Sequence, residues 1–266
     1  MDSNVERSGL TLAIATILAI VSTLVVNTLS NLYPLGGQNV GEIANTLLAG
    51  VLITPANYAF AIWGVIYLGL IAYALYQFPP GRRSQPHLQR VNRLLIVACL
   101  AQVLWILLFT LRQFSGSVLA MLVILISLVG IYLTLRTGLP PRSRRDRWCC
   151  QIPFSIYLAW IAVATVVNVA SALYAAGWRG WGLSPVGWTL VMTVVVTLLG
   201  GWVLWQRRDL AFVLVFVWAL GAIALRHSGS LPALTLTAGG AALLLLGLVG
   251  FDRLFSRGRG RPTGIQ

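Results

Sequence analysis

Lysine is missing altogether from this 266-residue sequence, and acidic residues number only six. All nineteen basic residues other than histidine are arginine, and charged residues make up 9% of the chain. A soluble globular domain draws about a quarter of its residues from Asp, Glu, Lys and Arg. So little polar surface excludes a soluble enzyme, a secreted disulfide scaffold and a disordered regulator. Cysteine is scarce too: Cys99, Cys149 and Cys150 form neither a disulfide framework nor a metal-ligand spacing. Histidine occurs only at His87 and His227, in loops expected on opposite sides, so they cannot share a site or hold a haem between them. What abounds is apolar: 58% of the residues, ten of them tryptophan. The class is integral membrane.

A helix needs about 20 apolar residues to cross the hydrocarbon core. Eight stretches qualify, near 9–31, 58–77, 94–112, 117–136, 151–174, 186–206, 210–226 and 232–251, which predicts an all-α polytopic bundle. The sixth and seventh also admit a hairpin that only partly crosses. The first is too long for the apolar region of a signal peptide, and no cleavage site follows, so it is read as retained. Placing the gap after the second span in the cytoplasm leaves only Arg112, Arg179 and Arg226 on the far side, against sixteen arginines on the near side. This asymmetry supports the count, and it puts both termini in the cytoplasm of a bacterial plasma (inner) membrane. The net charge of +13 is then a topology code and a set of lipid-headgroup contacts, with no nucleic-acid partner implied.

No Asp, Glu or His falls in the middle of a span, which argues against coupled transport and acid–base catalysis there. The interior polar groups are amides: Asn27, Asn31, Gln102 and Asn168. Each alone reads as interhelical hydrogen-bonding glue. Trp148, Trp178, Trp181, Trp188 and Trp205 sit at span ends, where indoles anchor at the headgroup level. Trp63, Trp105 and Trp160 lie inside spans and belong to stripes at helical spacing. The stripes are Phe60, Trp63 and Tyr67; Gln102, Trp105 and Phe109; and Tyr157, Trp160, Ala164 and Asn168. Three such stripes, mixing aromatic and hydrogen-bonding groups, suit a flat amphipathic ligand.

The same residues resemble a known family. The segment from Pro55 through Phe60 to Trp63 and Tyr67 resembles the signature of the TspO/MBR family of tryptophan-rich sensory, translocator-like proteins. Gln102, Trp105 and Phe109 are similar to its third-helix motif, and Tyr157-Leu-Ala-Trp160 followed by Asn168 to its fifth. The resemblance covers residues 9 to about 176. It implies a five-helix ligand-binding unit over 1–177, with residues 178–266 as a three-helix membrane extension ending in a basic tail. It also implies that the loop 32–57 lids a cavity for porphyrin, haem or another flat lipophile, sterol-like molecules included. The stripe residues are then the ligand contacts, with no cofactor required, no metal and no catalytic residue. Membrane lipids and a second copy, as a homodimer, are the implied partners. Some relatives are reported to promote light-dependent porphyrin breakdown, a role that would fall here on Trp63 and Trp160. Three departures stand out: Gln102 replaces an Asn, span four lacks an acid, and the added helices bear on the usual dimer face. An uncoupled transporter of a neutral lipophile and a ligand-free membrane scaffold remain alternatives. The extension reads as packing, and Glu42, in the loop, as a solvated carboxylate.

Overall fold

The structure is a computed structural model describing residues 3–141 and 143–258. Arg142, Arg259 and Arg261, assigned above to the cytoplasmic side, lie outside the described residues. Among the described residues there is no strand. The long helices are α1 (Ser3–Leu32), α3 (Ile62–Gln77), α5 (Pro86–Thr110), α6 (Phe114–Thr134), α8 (Ile152–Ala175), α9 (Pro185–Arg207), α10 (Leu210–His227) and α11 (Pro232–Gly258). Three short pieces join them: α2 (Val40–Asn45), α4 (Pro80–Arg83) and α7 (Arg144–Asp146). Among the described residues, eight helical segments are long and apolar enough to cross a membrane, matching the eight stretches read from hydropathy. The third starts at Pro86, so Arg90 and Arg93 extend its polar end, and the fifth gains a π-helical turn over Arg147–Gln151. His87 and His227 lie on helices α5 and α10, not in loops.

Backbone polar groups in hydrocarbon must be paired within the protein, and the helices satisfy this internally. Their hydroxyls follow suit: Thr16, Thr110, Thr165, Ser171 and Thr193 each donate to the carbonyl four residues earlier. Helix ends carry ordinary caps. Ser184 accepts from the Gly187 amide, and Asp209 from that of Phe212, after Arg208 closes α9 in the left-handed conformation.

The first five spans pack around α5 and α8. A buried relay ties α1, α3 and α5: Tyr73 donates to Asn92 (2.6 Å), Asn92 to Gln77 (3.0 Å), and Gln77 to the Ala13 carbonyl (3.3 Å). The last three spans dock through α10 onto α8. There the Asp209 carboxylate accepts from Tyr132 on α6 (2.9 Å) and Ser155 on α8 (2.7 Å). The loop segments gather at two ends. Arg83 meets Gly9, Arg207 meets Gly138 and Arg208 pairs with Asp252 at one end; Arg112 and Arg226 contact the 38–55 segment at the other.

Candidate ligand cavity

Pro55 ends the loop after α1, and a 3-10 turn over Asn57–Ala61 aims Phe60 and Trp63 inward at the head of α3. Trp105 and Phe109 face them from the last two turns of α5, and Trp160, Ala164 and Asn168 from α8. Between these walls lies a cavity of about 330 Å³. Its rings Phe60 and Trp160 meet edge to face at 5.9 Å, and Phe109 is backed edge-on by Phe114, outside the cavity, at 5.2 Å. Trp105 and Phe109 are tilted at 5.3 Å. No residue lining the cavity carries a titratable side chain.

Seven of the ten predicted ligand residues line this cavity: Phe60, Trp63, Trp105, Phe109, Trp160, Ala164 and Asn168. Tyr67, Gln102 and Tyr157 do not; they form a packed layer beneath it. Tyr157 donates to the Gln102 side-chain carbonyl (3.3 Å), and Trp63 stacks on Tyr67 at 5.5 Å. The Tyr67 hydroxyl and the Gln102 amide nitrogen have no partner among the described residues. Each absent residue is its stripe's member nearest the arginine-rich end, so the helices part only above that level.

Asn168 serves as both wall and strut. Its carbonyl accepts the Trp105 indole N–H (3.1 Å), and its amide donates to Ser117 (3.2 Å), joining α5, α6 and α8. This locks the Trp105 ring against the cavity. Sequence periodicity misses other lining groups. Asn27 and Asn31 come from the end of α1, where Asn31 donates to the Asn27 carbonyl (2.8 Å). Thr54 is buried in the wall, and its hydroxyl has no partner among the described residues. No spacing rule marks a lone loop threonine; only its burial does.

The roof is the 39–57 segment. Asn39 caps α2, accepting from the Glu42 amide while the Glu42 carboxylate accepts from the Asn39 amide (2.8 Å), a reciprocal capping box. Glu42 therefore holds the lid helix together. Gly36 crosses the end of α5 so closely that a Cβ there would collide with the Thr110 carbonyl.

The extension read above as plain packing also grips this roof. Arg226 on α10 donates to the Asn45 side-chain carbonyl (3.1 Å) and the Pro55 carbonyl (3.4 Å). His227 bonds the Leu52 carbonyl (2.8 Å), and the Ala56 amide donates to the Ala222 carbonyl (3.2 Å). The Trp218 indole donates to the Ala59 carbonyl (3.1 Å), with Tyr58 edge-on to its ring. Lid and extension are thus one packed body.

No curated protein and no solved structure matches the chain. A family model described as TSPO-like protein matches residues 13–251, a range that begins within α1 and runs into α11. With eight apolar spans and that match over most of its length, this integral membrane chain belongs to the TSPO-like family.

Proposed function

We propose that the protein binds a flat lipophilic ligand, of porphyrin type or a smaller ring system, in the cavity beneath the 39–57 roof. The observation that carries this reading is a cavity bounded by both Trp63 and Trp160, whose rings do not close on one another. Its volume falls near the low end of the range for ligand pockets, roughly 300–1,000 Å³. A single ring system fits that space, and a full macrocycle requires the roof to lift. Affinity would come from ring contacts, at about 0.5–1.5 kcal/mol for each aromatic pair beyond simple burial. The unpartnered Thr54 hydroxyl and the Asn27 and Asn31 side chains supply neutral hydrogen bonds for orientation. With no titratable wall residue, the chemistry favoured is binding, for sensing or uncoupled passage. A pure scaffold would fill the bundle with its own side chains, which the cavity argues against.

The arginine asymmetry favours a topology with both termini in the cytoplasm, and a bacterial inner membrane as the location is part of the same proposal. The test of binding is protoporphyrin IX titration of tryptophan fluorescence in nanodiscs. Saturable quenching is expected, weakened in a Trp63→Ala, Trp160→Ala double variant that keeps its helical circular dichroism. Quenching that never saturates, or that the double variant leaves unchanged, refutes it.

A further inference from the structure

A second cavity, unrelated to the first, opens at the opposite end of the bundle. Helices α3 and α10 both lean on α8. They come together where Trp218, midway along α10, bonds the Ala59 carbonyl in the turn before α3, and leave a gap below that contact. The crevice between them encloses about 1000 Å³. Its walls are apolar and include Val65, Ile156 and Leu214, with Trp218 at the apex. Val65 and Leu214 are exposed where no other helix covers them. From Arg208 to Trp218 along the helix is about 15 Å at 1.5 Å per residue. That is half of the ~30 Å hydrocarbon core, the depth of one leaflet.

The open mouth of the crevice is basic. Arg147, Arg208 and Arg253 line it, with Trp148 beside them. Three acids lie close. Asp146, next to Arg147 in the chain, is buried, with its amide donating to the Ser143 hydroxyl. Asp209 is buried and accepts from Tyr132, Ser155 and the Phe212 amide; Asp252 pairs with Arg208 at 3.6 Å. Arg147 and Arg253 are exposed at this rim. The facing loop is set by Gly138 (φ 82°), which passes against the Arg207 backbone too closely for a Cβ, and by Gln151 donating to the Leu135 and Leu139 carbonyls.

We infer that this crevice is a binding site for one anionic phospholipid, its acyl chains between α3 and α10 and its phosphate against Arg147 and Arg253. An apolar slot one leaflet deep under a cationic mouth, with an interfacial tryptophan at the rim, matches that amphiphile in both length and charge. A general basic surface would hold such lipids only by charge. This site adds a shape that selects one molecule.

The experiment is native mass spectrometry of the full chain released from vesicles containing phosphatidylglycerol and an excess of phosphatidylcholine. The expected result is one phosphatidylglycerol retained per protomer. An Arg147→Gln, Arg253→Gln variant should lose retention roughly thirtyfold, at about 1 kcal/mol for each arginine. Leu214→Trp, which fills the slot without altering charge, should displace the lipid while the helical circular dichroism is kept. Arg144→Gln with Arg145→Gln, on the same face but outside the crevice, should leave retention unchanged. Equal retention of the two lipids, an equal loss in the Arg144/Arg145 variant, full retention in Leu214→Trp, or a lipid-free dimer would each overturn the assignment.

Discussion

Asn168 sits where wall and fold meet, so replacing it with leucine tests whether the cavity is built as described. The side chain is 3% exposed, accepts from Trp105 at 3.1 Å and donates to Ser117 at 3.2 Å. Leucine keeps the approximate volume and removes both bonds. Ser117 still donates to the Phe114 carbonyl at 2.7 Å, so the hydroxyl stays satisfied. The Trp105 indole N–H loses its acceptor inside the bundle. Interhelical hydrogen bonds in membrane bundles contribute about 0.6 kcal/mol on average and ~1.7 kcal/mol at most. An orphaned buried donor costs about 1–3 kcal/mol more. The desolvated indole therefore dominates, and the expected loss is about 2 kcal/mol. Trp105→Phe removes the donor instead, leaving Asn168 its bond to Ser117. In a double-mutant cycle the two changes should couple by about 0.6–1.7 kcal/mol, read from equilibrium unfolding in mixed detergent–SDS micelles. Coupling below about 0.3 kcal/mol would mean that the bond does not hold the Trp105 ring, and the account of a preset wall would fail.

Thr54→Val should move stability and binding in opposite directions. Removing an unpartnered buried hydroxyl leaves stability equal or higher, while protoporphyrin affinity falls roughly fivefold for one neutral hydrogen bond; unchanged affinity removes Thr54 from the site. Arg226→Met should loosen the roof, raising amide exchange over 39–57 roughly tenfold, the low end for charged hydrogen bonds at a half-exposed group. Unchanged exchange would show that α10 does not hold the lid. Gly36→Ala should destabilise the loop crossing by about 1–3 kcal/mol through overpacking on the Thr110 carbonyl, seen as a lower midpoint in the same micelle assay. For topology, Ser230→Cys in a Cys149→Ser background should react with a membrane-impermeant maleimide on intact cells, and Gly81→Cys only after lysis. The reverse pattern would invert the orientation.

Local pattern carried much of this architecture. The eight apolar runs set the spans because an unpaired backbone group is costly in hydrocarbon, so each run must be a helix. The stripe Trp160, Ala164 and Asn168 could be read at helical spacing because periodicity reports direction around an axis. Depth along that axis it does not report. Tyr67, Gln102 and Tyr157 share faces with cavity residues, yet they lie where the helices still touch. Asn27, Asn31 and Thr54 escaped the stripe logic because each enters the wall alone, from a helix end or a loop.

By itself, then, the sequence determined a membrane-spanning all-α chain, its family and the side chains that turn inward. Hydropathy and residue spacing are local properties, and a bilayer leaves few structures compatible with them. Tertiary structure decided where the helices part to leave a cavity, and that α10, distant in sequence, clamps the roof through Arg226, His227 and Trp218. It also decided that α3 and α10 leave a gap beside three arginines to form a second slot. Those features depend on distances between segments up to 181 residues apart, such as Asn45 and Arg226, which no local pattern records.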